Sequence, residues 1–263
     1  MLKIRQYVKA QSLEEAYTLC QKRGSVVLGG MLWLKMQNRA VGTAIDLCGL
    51  GLDTIEETDT EFRIGAMVPL RAIETHPGLN AMTGNAMADC LSPIIGVQFR
   101  NLATIGGSLW GRFGFSDPLT LFLALGARVE LFHKGVMPLE EFLDQPSEPD
   151  ILVRVIVPKT EMQVAYLSQR NTATDFPTLT CAVCKRDGGY VCALGARPGR
   201  AQLYRDEKGL LSGGITGESA EAFGEELSQR ADFGSNLRGS AEYRQKISKV
   251  LVRRALLAMK EGE

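Results

Sequence analysis

The chain has 263 residues, enough for one large domain or two modest ones with real hydrophobic cores. Its 30 Lys and Arg balance 30 Asp and Glu, which disfavours nucleic acid, other acidic polymers and membrane surfaces as partners. No run approaches the length of a membrane span, Met1-Leu2-Lys3-Ile4-Arg5-Gln6-Tyr7 has no apolar signal core, and six cysteines are scattered through apolar stretches, so the expectation is a cytoplasmic protein with reduced thiols.

Residues 4–8 read as a short strand. Ser12-Leu13-Glu14-Glu15 then has the S-x-x-E form of a capping box, and Leu13, Ala16, Tyr17 and Cys20 recur on one helical face until Gly24 ends the segment. Residues 25–28 and 44–47 read as further strands, completing a small β-α-β unit. The second of these strands, Val26-Val27-Leu28, runs into Gly29-Gly30 at the strand end, where α/β folds place ligands. Residues 61–68 are strand-like and stop at Pro69, residues 70–74 suit a short helix, and residues 80–91 read as a helix ended near Ser92-Pro93.

Residues 97–101 lead into the stretch around which the chain is organised, Ala103 to Pro118. Here a β-branched run breaks into Gly106-Gly107 and restarts as a helix. Glycines lack a Cβ, so successive backbone N–H groups can converge on an anion; each glycine pair is a candidate phosphate cradle, although paired glycines also make ordinary turns. Two cradles in one domain suit a long ligand with a diphosphate and a ring system. Asp117-Pro118 reads as an N-cap followed by proline at the first helical position, opening a helix over 119–125.

Residues 127–132 form another predicted strand, turning at Lys134-Gly135, followed by a short helix over 139–143, a polar loop over 145–150 and a strand over 151–157. The texture changes from Glu161, and a domain boundary falls near residue 158. Residues 178–185 and 190–196 flank the hairpin signal Arg186-Asp187-Gly188-Gly189, and helices follow over 218–229 and 241–259, the last with Ile247, Val250, Leu251, Leu257 and Ala258 as its buried stripe. Cys181-Ala182-Val183-Cys184 has the spacing of a metal or redox pair but lies in a strand, where residues three apart face opposite ways; it reads as two small core residues. His76 and His133 sit beside turn residues without a nucleophile or carboxylate partner in a recognisable motif. Cofactor cradles without an acid–base constellation leave the chemistry to the cofactor.

The residues resemble the FAD-binding medium subunit of the molybdenum hydroxylases, the family that includes xanthine dehydrogenase and carbon monoxide dehydrogenase. The resemblance runs over nearly the whole chain: the first glycine turn, Ile64-Gly65-Ala66, the block from Gln98 to Ser108, Ser116-Asp117-Pro118, Leu194-Gly195-Ala196-Arg197-Pro198, and Leu237-Arg238-Gly239-Ser240-Ala241-Glu242-Tyr243-Arg244 continuing to Leu256. It implies an α/β (α+β) fold, with a two-lobed FAD-binding domain over 1–158 (lobes about 1–55 and 56–158) and a small α+β domain with antiparallel sheet and helices over 159–263. It implies FAD as cofactor, a small subunit with [2Fe-2S] clusters and a large subunit with the molybdenum cofactor as partners, and NAD or another acceptor for the electrons. No catalytic acid or base and no metal ligand are implied within this chain.

By that resemblance, Val27, Leu28, Gly29, Gly30, Met31, Leu32 and Trp33 lie along the cofactor, the first glycine turn giving its amides to the diphosphate. Thr104, Ile105, Gly106, Gly107 and Ser108 face it from the other lobe, Asp117 hydrogen-bonds FAD while also able to cap its helix, and Ile94 and Leu152 pack near the flavin and adenine. Trp33 and Trp110 are open between a place on the flavin ring and core packing. Three departures stand out: Met31 and Leu32 replace the polar pair of the usual Gly-Gly-Thr-Asp, Ser108 stands where relatives often have Asn, and Ser168 lies where many carry a lysine. Each lost side-chain hydrogen bond to a charged ligand is worth roughly 1.5 to 3 kcal/mol, or about one to two powers of ten in affinity. Two rivals follow: a structural or assembly subunit with weakened FAD binding, and a stand-alone flavin oxidase, against which the scarce histidines and the matching C-terminal region both speak.

Overall fold

The computed structural model describes residues 1–261. In chain order it runs β1 (Lys3–Lys9), α1 (Leu13–Cys20), β2 (Ser25–Leu28), β3 (Ala40–Asp46), β4 (Ile55–Glu57), β5 (Glu61–Gly65), α2 (Leu70–Glu74), α3 (Pro77–Met82), α4 (Ala86–Leu91), α5 (Val97–Arg100), α6 (Ile105–Trp110), α7 (Asp117–Ala124), β6 (Arg128–Leu131), β7 (Gly135–Pro138), α8 (Leu139–Asp144), β8 (Leu152–Pro158), β9 (Gln163–Arg170), β10 (Pro177–Arg186), β11 (Gly189–Gly195), β12 (Gln202–Arg205), α9 (Gly217–Arg230) and α10 (Ala241–Glu261). One compact unit comprises Met1–Ala72, Val97–Gly111 and Ala127–Pro158; the other comprises Ile73–Gly96, Arg112–Gly126 and the chain from Lys159 onward.

In the first unit the Ser12 hydroxyl accepts from the Glu15 amide at 3.1 Å and caps α1, while the Glu15 carboxylate reaches back to the Gln11 amide at 2.8 Å. The helix returns the chain so that β1 and β2 both pair parallel with β3, in the order β1-β3-β2. Ala10, Ala16 and Cys20 pack with Ile45, Leu47, Leu52, Ile151 and Val153, and Leu28, Val41 and Ala44 form a second cluster with Met31 and Leu34. A five-stranded antiparallel sheet, β4-β5-β8-β6-β7, places Ile64 and Val129 on either side of Val155. Fully burying each such aliphatic side chain contributes about 1.5 to 3 kcal/mol.

In the second unit, β12-β11-β10-β9 is antiparallel, and Asp187 and Gly188 turn the β10–β11 hairpin with φ of 53° and 77°. Both values suit the two-residue hairpin turn that matches the strand twist. Leu179, Cys181 and Val183 of β10 join one core with Phe223 and Leu227 of α9 and Val252 and Leu256 of α10. Cys184 is buried too but stands outside that cluster, as strand alternation requires, and burial pushes its thiol up to about 12. Helix α7 is buried along its length and packs on β10 and β11, where Thr120 Oγ1 and Thr180 Oγ1 are 2.8 Å apart. A Cβ on Gly195 would stand 2.2 Å from Thr120 Oγ1, so the bare backbone at 195 is what lets this helix approach.

Four local readings change. The helix expected over 80–91 is split into α3 and α4, because Gly84 (φ 54°) and Asn85 (φ 70°) are both left-handed and cannot propagate a right-handed helix. The Thr83 hydroxyl accepts from the Met87 amide at the break. Gly106 and Gly107 lie inside the first turn of α6, capped by Thr104, instead of forming a turn ahead of the helix. The cap of α7 is Ser116, whose hydroxyl accepts from the Leu119 amide at 3.3 Å, and Asp117 is the first helical residue. The strand expected over 61–68 ends at Gly65, where the Val68 amide turns back to the Gly65 carbonyl. Strands β4, β9 and β12 carry little apolar alternation and are paired only through their neighbours. No helix of the described residues is long and apolar enough to cross a membrane.

Candidate functional site

Strand β2 is an edge strand of the parallel sheet, and its whole length, with Gly29 beyond it, lines a cleft of about 370 Å³ in the first unit. Thr104, Gly106, Gly107 and Trp110 of the α6 region, Ala66, Met67 and Leu152 supply other parts of the lining, and residues 147–150 add a polar loop. The volume lies in the range of small-molecule and cofactor sites.

The two glycine pairs meet through one side chain. A Cβ on Gly29 would stand 2.8 Å from Thr104 Oγ1, and one on Gly107 would stand 3.2 Å from the same oxygen. On Gly30 it would meet the Leu102 carbonyl oxygen at 1.9 Å, and on Gly106 the Ala66 carbonyl oxygen at 2.6 Å. Gly30 and Gly106 are therefore demanded by backbone packing, whereas Gly107 is exposed and its open side faces the cleft.

The backbone donors of the two pairs are used differently. In α6 the Ile105 amide donates to the Val68 carbonyl, the Gly106 amide to the Ala66 carbonyl, and the Gly107 amide to Thr104 Oγ1 at 3.2 Å. The amides of Gly29, Gly30, Met31 and Leu32 donate to no acceptor among the described residues. Met31 is left-handed (φ 58°), a step that turns successive N–H groups toward one side and makes an anion-binding concavity. The first glycine turn thus holds the open donors, and the second is the scaffold behind it.

Carboxylates at the cleft are already engaged. Asp150 accepts from the amides of His133, Lys134 and Ile151. Glu148 pairs with Lys134 Nζ at 2.7 Å, and the hydrogen bond to that ammonium holds its carboxyl below the usual range. Cys20 also lines the cleft, its thiol donating to the Tyr17 carbonyl, and burial raises its pKa.

Of the residues expected at the cofactor, Val27, Leu28, Gly29, Thr104, Gly106, Gly107 and Leu152 line this cleft. Gly30, Met31 and Leu32 continue the turn with open amides, though the Met31 side chain packs on the Leu28–Val41–Ala44 cluster. Trp33 is half-buried, edge-on to Phe99 with ring centroids 5.7 Å apart, and Trp110 lines the cleft at 5.7 Å from the Phe142 ring. Ile105 is fully buried, and the Ser108 hydroxyl donates to the Thr104 carbonyl at 3.0 Å, so neither side chain offers a free polar group. Ile94 and Asp117 belong to the second unit. There Asp117 is buried, accepting from the Tyr166 hydroxyl at 2.5 Å and from Arg170; burial pushes its pKa up to about 6 against the pull of the Arg170 charge and the Tyr166 hydrogen bond. Ser25, Arg39, Met67 and the 147–150 loop were not singled out as cleft residues by sequence reading, because nothing local distinguishes them from ordinary strand and loop positions.

This donor set fits FAD: four open amides in a left-handed turn suit a diphosphate, bare glycines allow close approach, and Val27, Leu28, Leu47 and Leu152 give apolar surface for a ring. Residues 2–160 match the family model described as the FAD binding domain in molybdopterin dehydrogenase, and residues 165–259 match that of the CO dehydrogenase flavoprotein C-terminal domain. The chain belongs to this flavoprotein family of the molybdenum hydroxylases, with FAD as its cofactor. It is 28% identical to the nicotine 6-hydroxylase medium subunit of Paenarthrobacter nicotinovorans, over 95% of both chains, and 26% identical to the carbon monoxide dehydrogenase medium chain of Afipia carboxidovorans, over 95% of this chain and 94% of that one. Both relatives are subunits of oxidoreductases. The fold is also that of a chain of the Hydrogenophaga pseudoflava carbon monoxide dehydrogenase lacking the Mo-pyranopterin moiety (TM-score 0.86, 24% identity, 97% of both chains), and of a chain of quinoline 2-oxidoreductase from Pseudomonas putida 86 (TM-score 0.84, 20% identity, 98% and 97%).

Proposed function

We propose that this chain is the electron-transferring flavoprotein subunit of a molybdenum-containing hydroxylase or dehydrogenase, working in the cytoplasm beside a [2Fe-2S] small subunit and a molybdenum-cofactor large subunit. The observation that carries the reading is the run of four open amides from Gly29 to Leu32 above an apolar cleft. FAD bound there would supply a redox centre between the iron–sulfur clusters and NAD or another acceptor. The chain's own residues have a binding and orienting task. The Gly29–Leu32 amides hold the diphosphate, Thr104 fixes the two glycine turns against each other, and the walls around Leu28 and Leu152 exclude water. By the family resemblance Asp117 is read as hydrogen-bonding FAD and Ile94 as packing near its flavin and adenine parts.

A second reading, a structural subunit with weakened FAD binding, draws on Met31, Leu32 and Ser108, none of which turns a free polar side chain to the cleft. The visible spectrum of the purified, desalted chain separates the two, with the cofactor released by denaturation and identified by chromatography. Near-stoichiometric FAD is expected. In Gly107→Asp a carboxylate enters the cleft, and this variant is expected to stay folded and lose the flavin. A wild-type chain that stays colourless after incubation with FAD would move the assignment to the structural subunit.

A further inference from the structure

We propose that Tyr166 and Arg170 are positioning residues for the cofactor: together they hold one oxygen of the Asp117 carboxylate and leave the other as an acceptor for an N–H or O–H group of FAD. The inference rests on the reading of Asp117 as a residue that hydrogen-bonds FAD. Tyr166, Ser168 and Arg170 alternate along β9, so their side chains share one face of the strand. Tyr166 and Arg170 are four residues apart, a span of about 13 Å at a rise of about 3.3 Å per residue. Their long side chains converge from the two ends of this row on the first residue of α7, and both donate to the same atom, Asp117 Oδ1. The guanidinium is also fixed at its other nitrogens: Nε donates to the Ser168 hydroxyl at 3.3 Å, and a terminal nitrogen donates to the Asp175 carbonyl. A planar fork laced in this way has little freedom to leave the carboxylate.

The second oxygen carries the argument. An ionised carboxylate accepts at about four lone-pair positions. Two are taken on Oδ1, and no other described residue donates to Oδ2. The side chain keeps 5% of its surface, so the group is neither solvated nor sealed. Polar groups this deeply placed are almost always paired, and a ligand donor completes the set.

Charge supports the same assignment. The titratable groups that face Asp117 are Tyr166 and Arg170 of β9 and Cys90 of α4. Burial pushes the Cys90 thiol and the Tyr166 hydroxyl well up, so both stay protonated, and Arg170 is the charged group beside the carboxylate. Its charge favours the ionised form of Asp117, and a hydrogen bond to an ionised acceptor is about twice as strong as one between neutral groups. Arg170 thus acts on the cofactor through Asp117.

The test measures FAD affinity of the flavin-free full chain by titration calorimetry between pH 5 and pH 8, with melting temperatures recorded alongside. The variants are Tyr166→Phe, Arg170→Met, Arg170→Lys, Asp117→Asn and the double variant Tyr166→Phe with Asp117→Asn. Wild-type affinity is expected to fall as pH drops through about 6, where Asp117 takes up a proton. Tyr166→Phe should lose about 3- to 10-fold in affinity at pH 7, and Arg170→Met about tenfold or more. Arg170→Met should also move the midpoint to higher pH, and Arg170→Lys should bring it back toward wild type, a shift that a merely structural role would not produce. The double variant should bind no more weakly than Asp117→Asn alone, because Tyr166 works through that carboxylate. Wild-type affinity and midpoint in both Tyr166→Phe and Arg170→Met would overturn the proposal, as would losses that add in the double variant. Full affinity in Asp117→Asn would instead remove Asp117 from the FAD contacts, and a wild-type chain that binds no FAD would overturn the cofactor reading itself.

Discussion

The Tyr166 hydroxyl donates to the Asp117 carboxylate at 2.5 Å in the interior of the second unit, joining β9 to the first residue of α7. Arg170 reaches the same oxygen, so one carboxylate ties two positions of a strand to a helix start. Burial still dominates, and the folded pKa of about 6 stands above the ordinary carboxylate value near 3.8. Between these values the folded state binds more protons than the unfolded state, so this group's contribution to stability is fully present at low pH and is lost as pH rises through 4 to 6. A carboxyl raised that far carries a pH-dependent contribution of about 3 kcal/mol. Urea unfolding of wild type and Asp117→Asn at pH 4, 5, 6 and 7 is expected to show wild type losing stability relative to the variant across that window. A constant difference would refute the linkage.

Gly30→Ala is expected to destabilise the first unit by about 3 kcal/mol or more, because the new Cβ would meet the Leu102 carbonyl, which cannot move independently of its chain. Gly107→Ala, whose Cβ meets only the Thr104 hydroxyl at 3.2 Å, should cost less than about 1 kcal/mol. Thermal melts of the two variants check the contrast, and equal melting temperatures would mean that the turns are not packed on each other in this way.

Thr104→Val removes the acceptor for the Gly107 amide at the start of α6 and should cost about 1 kcal/mol, as loss of an N-cap does. Thr104→Ser keeps the oxygen and should stay within a few tenths of a kcal/mol of wild type by the same comparison. Chemical denaturation measures both; a Val variant as stable as the Ser variant would dismiss the cap.

Arg244 is fully buried and has no carboxylate partner among the described residues. Its guanidinium donates to the carbonyls of Thr178, Ala196, Gly234 and Gly239 and to Asn236 Oδ1. Burial and the nearby Arg238 charge lower its pKa. Replacement by leucine strands several buried acceptors and should cost more than about 3 kcal/mol. Lysine keeps a charge and three donors and should fall between leucine and wild type. Urea midpoints provide the measurement, and leucine equal to lysine would show that packing volume, not hydrogen bonding, is what Arg244 supplies.

Much of the fold was legible locally. Helix α1 was readable because its cap, periodicity and terminating glycine lie within thirteen residues, from Ser12 to Gly24, and the β10–β11 hairpin because Asp187-Gly188 states its own turn. The break between α3 and α4 was missed, since Gly84 and Asn85 sit in a run whose Ala and Met content favours helix, and only the left-handed backbone there reveals the stop. At the site, the glycine pairs were readable as close-approach positions, but not which pair kept its donors free.

By itself the sequence determined the class of protein: paired glycines at two points, a hairpin and a long C-terminal helix, all within blocks that resemble one flavoprotein family. Tertiary structure decided the division of labour. The amides of Ile105 and Gly106 are consumed by the carbonyls of Val68 and Ala66, nearly forty residues away, while those of Gly29 to Leu32 meet no acceptor among the described residues. The same holds for Ser25 and Arg39, which become cleft residues only when β2 takes the edge of its sheet. The reason is physical: propensity and turn chemistry act over a few residues, whereas the satisfaction of a backbone donor depends on whatever acceptor the rest of the chain brings beside it.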